Sequence, residues 1–87
     1  MEFADVVQLI DSGKLQKGSM VKLKAEISQP FLFAPLRKTA AQLAQEPRKV
    51  ERILIIEDRE TVLLSVYLGN AFISVSEKSL EEVLPNG

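Results

Sequence analysis

The 87-residue chain contains no histidine, no cysteine and no tryptophan. Without histidine it lacks the side chain that most often serves as a general base near neutral pH. Without cysteine it has no thiolate nucleophile, no disulfide framework and no soft ligand for a structural zinc. Aromatic residues are sparse at 6%, four phenylalanines and one tyrosine. The glycines at 13, 18, 69 and 87 stand far apart, so no phosphate-binding loop is spelled out. No apolar run approaches the roughly 20 residues of a membrane-spanning helix. The first ten residues carry Glu2 and Asp5 and no basic side chain, unlike the positive start of a secretory leader. These absences lead us to expect a cytoplasmic protein with no membrane partner, no cofactor and no metal.

What is present suits a single folded domain over residues 1–87: 46% of the residues are hydrophobic and 26% charged. The net charge of −1 conceals an asymmetry. Residues 12–52 hold nine basic side chains against Glu26, Glu46 and Glu51. Residues 53–87 hold only Arg59 and Lys78 against six acidic ones. Such a dipole steers a charged partner without saying anything about the fold.

Phe3, Val6, Val7 and Ile10 recur at helical spacing, and Gly13 supplies a C-terminal stop. After a short polar connection, Val21, Leu23, Ala25 and Ile27 alternate with Lys22, Lys24 and Glu26, which predicts a half-buried strand. Ile53–Ile56 forms a continuous apolar run that reads as a strand buried on both sides. Glu57–Glu60 is a polar turn, Thr61–Leu68 alternates again with Val62, Leu64, Val66 and Leu68 inward, and Gly69-Asn70 is a hairpin signal leading into Ala71–Ser76. Ser79-Leu80-Glu81-Glu82 has capping-box spacing and predicts a short C-terminal helical turn. Between the first two strands, a long excursion over 30–50 holds the proline-bounded Pro30–Pro35 segment and a helix within 36–46 that Pro47 ends.

The fold class expected is α+β, mainly β: a small, partly open antiparallel barrel of about four to five strands with an N-terminal helix. The run Gly18–Leu23 opening a strand, together with Ser79–Val83 closing the chain, resembles a small Src-homology-3-like β-barrel over residues 18–84. In that group a glycine-led first strand and a short helical turn after a late strand recur, and its members include small accessory subunits of photosynthetic electron-transfer complexes with long loops after strand one. The meander from Ile53 to Leu68, following a basic first strand, is also similar to an oligonucleotide-binding barrel, which requires five strands.

The candidate sites follow from side-chain chemistry. A serine nucleophile without histidine needs a lysine base, and no serine and lysine stand in a recognisable spacing, so no catalytic residue is assigned and the chain is read as a non-enzyme. The carboxylates of Glu57-Asp58-Arg59-Glu60 read as a solvated turn. Phe31, Leu32 and Phe33, rimmed by Arg37 and Lys38, have the make-up of a protein-docking loop or of a lid over an open barrel end. The leading expectation is therefore a protein-binding or accessory-subunit module. The alternative is a nucleic-acid-binding barrel using Lys22, Lys24, Arg48, Lys49 and Arg52, with Phe31, Phe33, Tyr67 and Phe72 as the candidate rings for stacking bases. Tyr67 and Phe72 fall off the Val66 face and are expected to cover the far side of the sheet, beneath the N-terminal helix.

Overall fold

Alternating residues can hide one face of a strand and display the other, and most of the chain follows that rule. The computed structural model describes residues 1–25, 40–69 and 71–85. It contains helices α1 (Phe3–Asp11) and α2 (Ala40–Ala44), and strands β1 (Met20–Leu23), β2 (Arg48–Ile56), β3 (Thr61–Tyr67), β4 (Phe72–Ser76) and β5 (Leu80–Val83). The strands form one antiparallel sheet in the order β4-β3-β2-β1-β5. Two 3-10 turns, Glu57–Arg59 and Glu77–Ser79, join β2 to β3 and β4 to β5. Edge strands β4 and β5 do not pair with each other, so the sheet is open and no closed barrel is formed among the described residues. No described helix is long and apolar enough to cross a membrane.

The inner face carries the core. Val62, Leu64 and Val66 of β3 alternate inward, opposite Ile55, Ile53 and Val50 of β2 and beside Val75 and Ile73 of β4. Val21, Leu23 and Leu80 extend this layer across β1 and β5. Helix α1 lays its apolar stripe on it: Val6 is fully buried, and Phe3, Val7 and Ile10 pack alongside. The helix ends where Gly13, at φ 79°, donates to the Ile10 carbonyl, and the turn it makes delivers Leu15 into the core. The connection from Lys14 to Gly18 is thus not wholly polar in its role.

Four expectations need correction. The first strand ends at Leu23; Ala25 is exposed, and Ile27 lies outside the described residues. The Ile53–Ile56 run is not buried on both sides, because both helices cover the same face: Leu54 points away from it and is 53% exposed. Moreover β2 begins at Arg48, and the deepest of its apolar side chains is Val50. The C-terminal segment is a strand preceded by a 3-10 turn, not a helical turn from Ser79. Pairing explains that outcome, since a helix there would leave the free edge of β1 with unanswered backbone groups, whereas β5 matches Val83 to Val21 and Leu80 to Leu23.

Two polar contacts tie the turn before β5 to the rest. Glu77 is buried, and its Oε2 accepts from the Val62 backbone N–H at 3.2 Å. The Met1 ammonium donates to the Glu77 and Leu80 carbonyls at 3.1 and 2.8 Å. Burial, and secondarily Lys24, holds that ammonium below its ordinary pKa.

The one-sided core yields a paired test. Leu64→Ala removes a fully buried side chain and should cost about 2–5 kcal/mol. Leu54→Ala, on the opposite face, should stay within about 0.5 kcal/mol. Urea denaturation of the two variants separates these outcomes, and equal losses would contradict a single covered face.

Candidate functional site

The outer face of the sheet is shaped by one extra residue in β2. Val50 pairs with Val66 and Arg52 with Ser65, leaving Glu51 as a bulge between them. In a strand without that bulge, Arg48, Val50, Arg52 and Leu54 would share a side. With it, Arg48, Val50, Ile53 and Ile55 face inward, while Lys49, Arg52 and Leu54 face outward. The bulge carboxylate is itself occupied by Lys17 at 3.7 Å.

Register then assembles the outer surface. Met20 of β1 pairs with Lys49 of β2, Lys49 with Tyr67 of β3, and Tyr67 with Phe72 of β4. This row crosses four strands at about 4.8 Å per step, hence about 14 Å. The next row is Arg52, Ser65 and Ser74, and the one after it Leu54 and Leu63, ending at the buried Ser76. Met20 is 38% exposed, Tyr67 39%, Phe72 47% and Leu54 53%, and these are the exposed large hydrophobic residues among those described. The Tyr67 and Phe72 rings sit 5.1 Å apart at a tilt of 45°, within the range of favourable aromatic pairing. The Tyr67 hydroxyl donates to the Gly69 carbonyl, which fixes the ring against the hairpin turn. That turn is closed by the Leu68 N–H donating to Ala71, with Gly69 at φ 101°.

Tyr67 and Phe72 therefore do not lie beneath the N-terminal helix. The α1 helix packs on the core of Val62, Leu64 and Val66, and Tyr67 and Phe72 alternate to the opposite face. The aromatic pair is left on the other side.

The basic residues divide by the same parity. Lys22, Lys49 and Arg52 are exposed on the outer face, and Lys24 is exposed just beyond β1. Lys22 is paired in register with Glu82. Among the described residues, neither Lys49 nor Arg52 has a carboxylate partner. Arg48 does not join them: it is buried, and its guanidinium donates to the Leu43 carbonyl at 3.2 Å and the Gln42 carbonyl at 3.5 Å, at the end of α2. A side chain expected at a binding surface is instead a cap on a short helix. Phe31, Leu32, Phe33, Arg37 and Lys38 lie outside the described residues. Tyr67 and Phe72, weighed from the sequence as stacking rings but expected beneath the helix, stand exposed on this face. Leu54 was hidden from sequence reading by the continuous apolar run in which it lies.

The acidic turn of Glu57, Asp58 and Glu60 is exposed, and no group of three or more carboxylates among the described residues is gathered closely enough to hold a metal. Beside α1, one depression is lined by Met1, Asp5, Gln8, Leu9, Ser12 and Lys14, and a more apolar one by Leu9, Gly13, Lys14, Val83, Leu84 and Pro85. No protein-family model, curated protein or solved structure matches the chain.

Arg48 is testable by its inward position. Arg48→Ala leaves the α2 carbonyls without their donor and should cost about 1–3 kcal/mol in urea denaturation. Arg52→Ala should change stability by no more than about 0.5 kcal/mol.

Proposed function

We propose that the protein is a non-catalytic binding module that works through the outer face of its sheet. The observation that carries this reading is the grouping of Tyr67, Phe72, Leu54 and Met20, all exposed, around Lys49 and Arg52 on one side of a sheet whose helices occupy the other. Exposed aromatics, methionine and arginine in one patch are the composition enriched in binding surfaces, and stable monomers seldom display such groupings without use. The absence of histidine and cysteine from the whole chain supports a role without catalysis. The accompanying fold reading is a partly open barrel. It is supported by Gly18 ahead of β1 and by the 3-10 turn after β4, the two traits shared with Src-homology-3-like barrels. A cytoplasmic accessory subunit is the setting we propose for it.

The other surface proposed for docking is the 30–50 excursion, through Phe31, Leu32, Phe33, Arg37 and Lys38. The two surfaces are separated by a photo-crosslinking residue placed at Tyr67, at Leu32 or, as a control, at Asp58, with the protein expressed in its own cells. The outer-face reading predicts a crosslinked species from position 67 that is missing from position 58. Crosslinking from position 32 alone would transfer the function to the excursion. No crosslinking from either would contradict a binding role for both surfaces.

A further inference from the structure

We infer that the occupant of the outer face is single-stranded nucleic acid, with bases on Tyr67 and Phe72 and phosphates at Lys49 and Arg52. This rests on the reading of that face as the working surface and adds the chemistry of its partner. Three observations converge on it. First, two exposed aromatic side chains stand side by side on adjacent strands, and aromatic side chains are what unpaired bases stack on, whatever their sequence. Second, Lys49 stands directly across from Tyr67, and Arg52 occupies the neighbouring row, so the positive charges flank the rings. Third, the floor beside Arg52 is made by Ser65 and Ser74, small side chains that leave room for a planar group and a backbone to lie against the strands.

Charge accounting favours an anion there even though the chain is slightly acidic overall. Glu51 is taken by Lys17 and Glu82 faces Lys22 across the β1–β5 register, while neither Lys49 nor Arg52 has a carboxylate partner among the described residues. The carboxylates of Glu57, Asp58 and Glu60 sit at the other end of the β2–β3 hairpin. Six residues of strand separate Thr61 from Tyr67, about 20 Å. That is more than twice the screening length of about 8 Å in physiological salt. An acidic polypeptide would satisfy the two cations but would leave the rings with no planar partner, and a duplex hides its base faces. The chemistry of the face as a whole fits an unpaired strand.

The chain has one tyrosine and no tryptophan, so its intrinsic fluorescence reports Tyr67 alone. The test titrates the full chain with a labelled oligothymidylate of about 15 nucleotides, the upper range of a single small barrel's site. It follows label anisotropy and Tyr67 emission together. A duplex of equal length and an oligoglutamate serve as competitors. The expected result is binding that quenches Tyr67 and weakens about ten-fold between roughly 50 and 200 mM salt, the slope for two or three phosphates. The duplex and the oligoglutamate should compete poorly. The variant K49Q/R52Q should flatten the salt dependence, and Y67T/F72T, which removes both stacking rings, should weaken binding by about thirty-fold or more. Threonine keeps the strand propensity, and Phe72→Thr alone supplies the same test should the double variant not fold.

Three results would overturn the inference. One is the absence of oligothymidylate binding at the lowest salt. Another is binding that both double variants retain unchanged. The third is competition by oligoglutamate as strong as by oligothymidylate with Tyr67 emission unmoved, which would make the partner an acidic polypeptide and leave the outer face standing as the working surface.

Discussion

The extra residue at Glu51 decides what each side of the sheet contains. A regular β2 would carry Arg52 inward with Arg48 and Val50, and would send Ile53 and Ile55 to solvent. Burying a second guanidinium would cost several kcal/mol unless a partner answered it, and the core offers Arg48 alone a ready set of carbonyls. The bulge removes that conflict by turning the strand over once. Everything upstream of it then agrees with everything downstream: Val50 meets Val66, Ile53 meets Leu64, and Ile55 meets Val62. The same turn places Lys49 and Arg52 together on the outer side, although an even and an odd position would normally oppose each other. The charged part of the candidate surface therefore exists because of a device that protects the core.

A chain of this size buries one core, and here it does so between a sheet and helices on one side. The fully buried members come from every strand and from α1, so loss of any one element exposes the rest. Polar contacts sit at its margins. Glu77 holds the start of β3 through the Val62 N–H, and Arg48 holds the end of α2. Both are charged residues whose side chains serve backbone groups that would otherwise be unpaired, a role that stabilises by leaving nothing orphaned in the interior. The opposite face needs no such measures, because water answers its polar groups, and its exposed aromatic and aliphatic side chains cost little in folding.

Much of this was legible from spacing. The helical stripe of Phe3, Val6, Val7 and Ile10, the alternation of Val62, Leu64 and Val66, the β1 pair Val21 and Leu23, and the Gly69 hairpin all follow from the two periods of regular structure. What failed was whatever depended on another part of the chain. The bulge breaks the period of β2, so Arg48-Lys49-Val50 did not read as strand and Arg48 read as surface charge. Leu80–Val83 is too short to show a period, and becomes a strand only because β1 offers an edge. The alternation of Tyr67 against Val66 was readable, but not which side α1 would take. A self-filled barrel would carry its helix outside, whereas this open sheet uses α1 to close its apolar face, and that choice displays the aromatic pair.

On the outer face Tyr67 is exposed, with Lys49 across from it and Arg52 in the neighbouring row. Collisional quenching of the folded protein tests this arrangement with no label and no substitution, since Tyr67 is the sole tyrosine and tryptophan is absent. Iodide is attracted by local positive charge and caesium repelled, so the ratio of their quenching reads exposure and the sign of the field at one ring. An exposed ring beside two cations should be quenched efficiently in the native state by iodide, more than by caesium, with the difference shrinking as an inert salt is added. A native Tyr67 shielded from both ions until urea unfolds the chain, or one that caesium quenches more than iodide, would contradict it.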